Sequence, residues 1–295
     1  MATIDFYGRT LPVYKCALHN HTTVSDGDFA PDELIRLYAE AGFDVLAFTD
    51  HRKANPVSTY EGQGMTLLSG IELHPTGPRG ALWHLLALGV PEDFPGQYAT
   101  GQEAVDAVKK AGGLVYCAHP AGVFTSGEIL DLKGIDGLEV SNTNGRFIGL
   151  ESSEVCWNEL IAQGFVCPAV AVDDTHTPCD LFKNWTVICA PDKTPESLLE
   201  ALKQGSFYAT QGPEFKRLSW KDGVFEAEFT EVVEAFLYGY PGMEIVGTPG
   251  FPTPDTAPCL TELKFAPGPG FRGKIRCRIR DKYNRCAWSM PVTWE

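Results

Sequence analysis

Short apolar runs alternate with amphipathic segments from the start of this chain to about residue 205, and most runs end in or carry a histidine, aspartate or glutamate. KCALHNH at 15–21 precedes PDELIRLYAEAG at 31–42, where Leu34, Leu37, Tyr38 and Ala41 form one helical stripe and Gly42 is its stop. Pro31 suits the first turn, where its missing amide hydrogen does no harm. DVLAFTDH at 44–51 reads as a buried strand ending in Asp50 and His51, TLLSGIE at 66–72 ends in Glu72, ALWHLLALG at 81–89 carries His84, and LVYCAHP reaches His119 before Pro120. Helical GQEAVDAVKKAGG (101–113), SSEVCWNELIAQG (152–164) and PESLLEALKQG (195–205) alternate with IDGLEVSN (135–142) and FVCPAVAVDDTH (165–176). This order predicts an α/β fold with a largely parallel sheet covered by helices. Polar residues gathered at strand ends suggest the active face of a β/α barrel.

The pattern changes after YATQGPEF at 208–215. VFEAEF, EAFLYGY, LTELKFA and KIRCRIRD are short, and GTPGFPTPDTAP and PGPGFRG among them are rich in turn residues. KIRCRIRD sets Ile275, Cys277 and Ile279 on one face and basic residues on the other. The expected division is therefore a hydrolase barrel at 1–212 and a small β-rich, sandwich-like accessory domain at 213–295.

With 24 Lys and Arg against 38 Asp and Glu, the net charge is −14, so a free polyanion meets repulsion from the average surface. Bound divalent ions would reverse that potential locally, so a nuclease is not excluded. The first residues hold no apolar run suited to a signal peptide, and no stretch approaches the roughly 20 apolar residues that cross a bilayer. Nine cysteines without a C-x-x-C pair read as reduced thiols of a cytoplasmic protein with no membrane contact, and Cys117 reads as packing.

The chemistry lies in His19, His21, Asp26, His51, Glu72, His84, His119, Asp174 and His176, which include six of the seven histidines. His19 and His21, two apart on an extended segment, share one face, and Asp174 and His176 repeat that spacing. Imidazoles mixed with carboxylates suit manganese, iron or zinc. His74 reads as an ordinary loop residue. Asp50 and Asp173 alternate away from their neighbours and can orient a ligating histidine or hold a loop.

HNH at 19–21, SDG at 25–27, TDH at 49–51, GIE at 70–72, His84, AHP at 118–120 and DTH at 174–176 together resemble the polymerase and histidinol phosphatase (PHP) family, over roughly residues 15–210. YATQGP at 208–213 and RDKYNRCAWSMPV at 280–292 also resemble the β domain that follows some small members. The resemblance implies a distorted (β/α)7 barrel with two or three divalent ions at its C-terminal face. It would put one ion on His19, His21, Glu72 and Asp174, a second on Glu72, His84 and His119, and a third on Asp26, His51 and His176.

A metal-activated hydroxide would then attack phosphorus opposite the leaving oxygen. Glu72, Asp174 and His176 stand as the catalytic candidates, with a protonated His176 or His51 as a leaving-group acid only if free of metal. Arg52, Lys53 and Arg146 are the candidate phosphate grips, and arginine can fork onto two oxygens. Asn142 and Asn144 suit ligand-orienting, substrate or turn roles.

The family's substrates imply a small phosphorylated molecule. A nucleic-acid end stays open as a substrate, and a homo-oligomer as a state of assembly. The interval from His84 to His119 leaves no room for the large helical insert of some nucleotide-specific members. Hydrolysis of a non-phosphate ester or amide, or a non-enzymatic metal-stapled binding module, are the alternative functions.

Overall fold

Helices begin where the sequence supplies a cap. In the computed structural model, which describes residues 2–240, 244–247, 259–266 and 273–294, α1 (Pro31–Glu40) has proline in its first turn. The helices α2 (Gly101–Lys110) and α3 (Ser126–Asp131) start in capping boxes, Thr100 with Glu103 and Thr125 with Glu128. Two more helices follow, α4 (Glu154–Ala162) and α5 (Pro195–Lys203), the latter capped by the Thr194 hydroxyl. The stripe of α1 buries Leu34, Ile35 and Tyr38, and that of α2 buries Ala104, Val105 and Val108. Full burial of each such Leu, Ile or Val side chain is worth about 1.5–3 kcal/mol.

Seven successive strands make the sheet that carries the site: β2 (Arg9–Ala17), β3 (Val45–Phe48), β4 (Thr66–Leu73), β5 (Leu85–Leu88), β6 (Leu114–Cys117), β7 (Gly137–Asn142) and β8 (Ala169–Val172). The pairs β2–β3, β3–β4, β6–β7 and β7–β8 are parallel. β5 differs from the parallel expectation. It runs antiparallel to both neighbours, pairing Gly70 with Leu88 and Leu85 with Cys117, because only a short turn-rich connection separates it from β4. The sheet curls until the continuations of β2 and β8 meet. There the His21 N–H donates to the Thr175 carbonyl at 2.9 Å and the Asp174 N–H to the His19 carbonyl at 3.0 Å. The result is a mixed α/β fold with a curled sheet and few helices.

The same sheet runs on through β9 (Trp185–Cys189), antiparallel to β2, and β10 (Phe207–Thr210) into the later strands. After β10 come β11 (Phe215–Lys221), β12 (Val224–Val232), β13 (Glu234–Tyr240), β14 (Glu244–Gly247), β15 (Leu260–Phe265), β16 (Gly273–Arg280), β17 (Cys286–Ser289) and β18 (Val292–Trp294). β10 pairs with β17, β17 with β16, and β16 with β13. A second set joins β11, β12 and β15 to the N-terminal strand β1 (Thr3–Phe6), with Asp5 opposite Arg217. Between the two sets lies a core of alternate residues, among them Ile4, Leu218, Phe225, Phe229, Leu237, Cys277 and Ile279. Apart from Gly247 and Gly273, the turn-rich stretches at 247–258 and 267–273 lie outside the described residues. Among the described residues no helix is long and apolar enough to cross a membrane.

Candidate metal centre

Apart from Asp26, in the turn that follows β2, each candidate ligand sits near the end of a strand. β2 stops at Ala17, and the extended 18–22 segment buries His19 and His21 on one face. Asn20 turns the other way, its amide donating to the carbonyls of Ala17 and Ala47. His51 follows β3 and bridges to Glu72 near the end of β4. His84 precedes β5, His119 follows β6, and Asp174 and His176 follow β8. His119 (φ 28°) and Asp174 (φ 53°) lie in the left-handed region, a costly backbone for residues other than glycine that is held by the surrounding contacts.

The groups converge. Asp174 Oδ1 is 3.0 Å from His21 Nε2 and 3.3 Å from His19 Nε2, and Glu72 Oε2 is 3.6 Å from both nitrogens. Glu72 Oε1 is 2.9 Å from His84 Nδ1 and 3.6 Å from His119 Nε2. Asp26 is 3.3 Å from His51 Nε2 and 3.6 Å from His176 Nε2. Four groupings with metal-ligand spacing follow: His19, His21 and Glu72; Glu72, His84 and His119; His51, Glu72 and His74; and His21, Asp26, His51 and His176.

These residues fit divalent cations on chemical grounds. Glu72 Oε2 and Asp174 Oδ1 are buried without a hydrogen-bond partner, a cost that a cation removes. His19 Nδ1 lies 2.6 Å from Glu139 Oε1; a proton donated there leaves the Nε2 lone pair facing the carboxylates. Burial works against charge at His19 and Glu72. The imidazole–carboxylate attraction outweighs it, lifting His19 well above and holding Glu72 well below the ordinary values. His119 is likewise pushed up to about 9, against burial, by Glu72, Asp174 and Glu139.

Sequence reasoning missed Glu139 and misjudged His74. Glu139, buried in β7, accepts from His19 on one oxygen and, on the other, from the His119 backbone N–H and the Asn142 amide, each at 2.8 Å. A glutamate inside an otherwise apolar run was the signal, because a carboxylate is buried only with partners. Glu139→Gln is expected to weaken metal binding by about 10–100-fold while the protein stays folded. Chelator-competition titration checks this, and unchanged affinity would remove Glu139 from the site's support. His74 is no ordinary loop residue: its Nε2 stands 3.0 Å from His51 Nδ1 and 3.2 Å from Glu72 Oε2.

Asp50 and Asp173 orient loops rather than histidines. Asp50 accepts from the backbone and hydroxyls of Thr22 and Ser25, tying down the 22–25 turn that leads to Asp26. Asp173 accepts the N–H groups of Phe182, Lys183 and Asn184 and the Tyr38 hydroxyl. Gly27 closes the first loop, and a Cβ there would stand 2.4 Å from the His21 carbonyl oxygen. Gly27→Ala is therefore expected to displace Asp26 and weaken metal binding, read as a lower ion count per chain than wild type after identical dialysis.

Of the basic candidates, Arg52 and Lys53 are exposed beside His51, and their side chains make no hydrogen bond or ion pair among the described residues. Arg146 is engaged by Asp180 at 2.9 Å and by the carbonyls of Thr143 and Cys179. Asn144 lies 2.9 Å from His176 Nδ1, and the Asn142 amide donates to Asp174 at 3.1 Å. Cys117 is buried, and burial pushes its thiol well above the usual range, as suits a packing residue.

No family model matches the chain. Over 83 residues it is 34% identical to a phosphoribosyl 1,2-cyclic phosphate 1,2-diphosphodiesterase of Eggerthella lenta, a stretch covering 26% of this chain and 32% of that protein. The match thus spans about a third of the relative's length. In structure, the chain aligns with a two-domain protein of Bacteroides vulgatus containing a predicted PHP-like metal-dependent phosphoesterase, at TM-score 0.56 and 14% identity, over 96% of this chain and 95% of that one. An amidohydrolase of Chromobacterium violaceum aligns at TM-score 0.46 and 18% identity, over 55% of this chain and 88% of that one. Across nearly its whole length, then, this chain has the fold of a two-domain protein of the PHP-like metal-dependent phosphoesterase type that its sequence resembles.

Proposed function

We propose that this chain is a metal-dependent hydrolase of phosphate esters. Its centre takes two or three divalent ions, manganese, iron or zinc, on His19, His21, Asp26, His51, Glu72, His84, His119, Asp174 and His176. The observation that carries the reading is the pair of buried, unpartnered carboxylate oxygens, Glu72 Oε2 and Asp174 Oδ1, set among imidazoles from several strand ends. Divalent ions bound there would neutralise phosphoryl oxygens and make an attacking water more acidic.

The chain's own groups supply the rest. Glu139 holds His19 and the His119 backbone, and Asn142 holds Asp174, so the cluster is preorganised. His176 Nδ1 lies 2.9 Å from both the Asp174 carbonyl and the Asn144 amide nitrogen, and its Nε2 faces Asp26. Arg52 and Lys53, exposed beside His51 and without an ion pair among the described residues, offer positive charge for a small phosphorylated substrate or a nucleic-acid end. Arg146, engaged by Asp180, orders the turn that sets Asn144 against His176.

The test is phosphate release by manganese-loaded protein from mononucleotides, nucleoside bisphosphates, sugar phosphates, phosphoribosyl cyclic phosphates and short oligonucleotides, with His21→Ala as the blank. Selective release above the blank is expected. A fully metal-loaded protein that releases none would turn the reading toward carboxylic esters or amides.

A further inference from the structure

The ligand scheme leaves out His74, yet this residue stands between two of its groupings. Its ring lies just past β4, only 7% exposed, stacked on His84 with ring centroids 4.2 Å apart. Its Nε2 is 3.0 Å from His51 Nδ1, while the other nitrogen of His51, Nε2, is 3.3 Å from Asp26 Oδ2 and belongs to the grouping with His21 and His176. A neutral imidazole has one N–H and one lone pair, so His51 can present its lone pair on one side only.

Two acceptors compete for a proton on His51 Nδ1. Glu72 Oε2 is nearer, at 2.7 Å, yet it has no hydrogen-bond partner, because the contact is poorly aligned; the contact to His74 Nε2 is aligned. Glu72 Oε2 also faces His19 and His21 at 3.6 Å, the side on which the proposed function puts a cation.

We propose that His74 is a positioning residue: it accepts the Nδ1–H of His51, fixing the tautomer whose Nε2 lone pair faces Asp26 and His176, and so leaves Glu72 Oε2 open to a cation. His74 then carries its own proton on Nδ1. The inference rests on the metal-centre reading but not on the phosphoesterase chemistry. It gives His51 the kind of support that Glu139 gives His19.

The experiment is a zinc titration of metal-free wild type, His74→Gln and His74→Ala against a competing chelator, with ions counted by mass spectrometry. Nitrogen-15 NMR of the histidine rings in the zinc-loaded wild type accompanies it. His74→Ala is expected to weaken one ion by about 10–100-fold and leave the others unchanged. His74→Gln, whose amide oxygen accepts the same proton, should recover most of the loss, and the His51 proton should be found on Nδ1. Unchanged affinity in His74→Ala would overturn the proposal, as would a lost ion that glutamine does not restore, which would make His74 a ligand. A wild-type His51 protonated on Nε2 would overturn it even if neither variant folds. Phosphate release is not among these readouts, so failure of the phosphoesterase reading would be seen separately.

Discussion

Glu72→Gln is expected to leave the fold in place and to lower phosphate ester turnover on the order of 10³-fold. One carboxylate serves three of the four groupings and borders the fourth: Oε1 faces His84 and His119, while Oε2 faces His19, His21 and His51. The amide keeps the shape but loses the charge, and it puts N–H groups where lone pairs are needed. Losing several kcal/mol of metal-borne stabilisation, at about 1.4 kcal/mol per tenfold, gives that magnitude. The check is turnover at saturating manganese together with the melting temperature. Turnover close to wild type would mean that Glu72 is not a shared ligand.

Arg276→Ala should unfold the protein more easily by about 3–5 kcal/mol, the cost of breaking a buried ionic network by removing one partner. Arg276 lies in β16 at 0% exposure, its guanidinium between the rings of Trp157 on α4 and Tyr238 on β13. It donates to Glu154 at 2.7 Å, to Asn158 at 2.5 Å and to the Tyr240 hydroxyl at 3.0 Å. Alanine leaves a cavity and a half-paired Glu154, which retains Arg278 at 3.1 Å. Arg276→Met, which keeps the packing, should cost less; equal melting of both variants and wild type would show the network to be neutral.

The pH dependence of that loss has a definite sign. Burial raises the Glu154 carboxyl, and Arg276 and Arg278 together more than offset it, so its folded value lies below the ordinary 4.5. Its contribution is therefore complete above pH about 4.5 and fades as pH falls through the folded value. In Arg276→Ala the depression is smaller, so the gap between variant and wild type should narrow on acidification. Denaturant melts at pH 7 and pH 4 would show it.

Much of this architecture is legible in the sequence, for reasons that also explain the omissions. The apolar stripes place α1, α2, α4 and α5 to within a few residues, because helices of nine or ten residues bury a full face. The six-residue α3 buries only Ile129 and leaves no stripe, so its one signal is the Thr125 and Glu128 capping box. An apolar run says nothing about strand direction, hence the parallel expectation for β5. β1–β2 mixes Asp5, Arg9, Thr10 and Pro12 with its apolar residues, so it does not stand out. The candidate ligands could be listed because histidine is scarce and falls at run ends. Glu139 and His74 escaped because their roles depend on which neighbour each faces.

One pairing bears on how the chain comes off the ribosome. Strand β1 has its parallel partner in β11, with Asp5 opposite Arg217, so its edge stays unfilled until that later strand emerges. At about 5–20 residues per second, translation of the intervening segment lasts roughly 10–40 s. For that interval Ile4, Phe6 and Leu11 lack most of the core that later covers them. Chaperone demand during synthesis should therefore track the N-terminal hairpin.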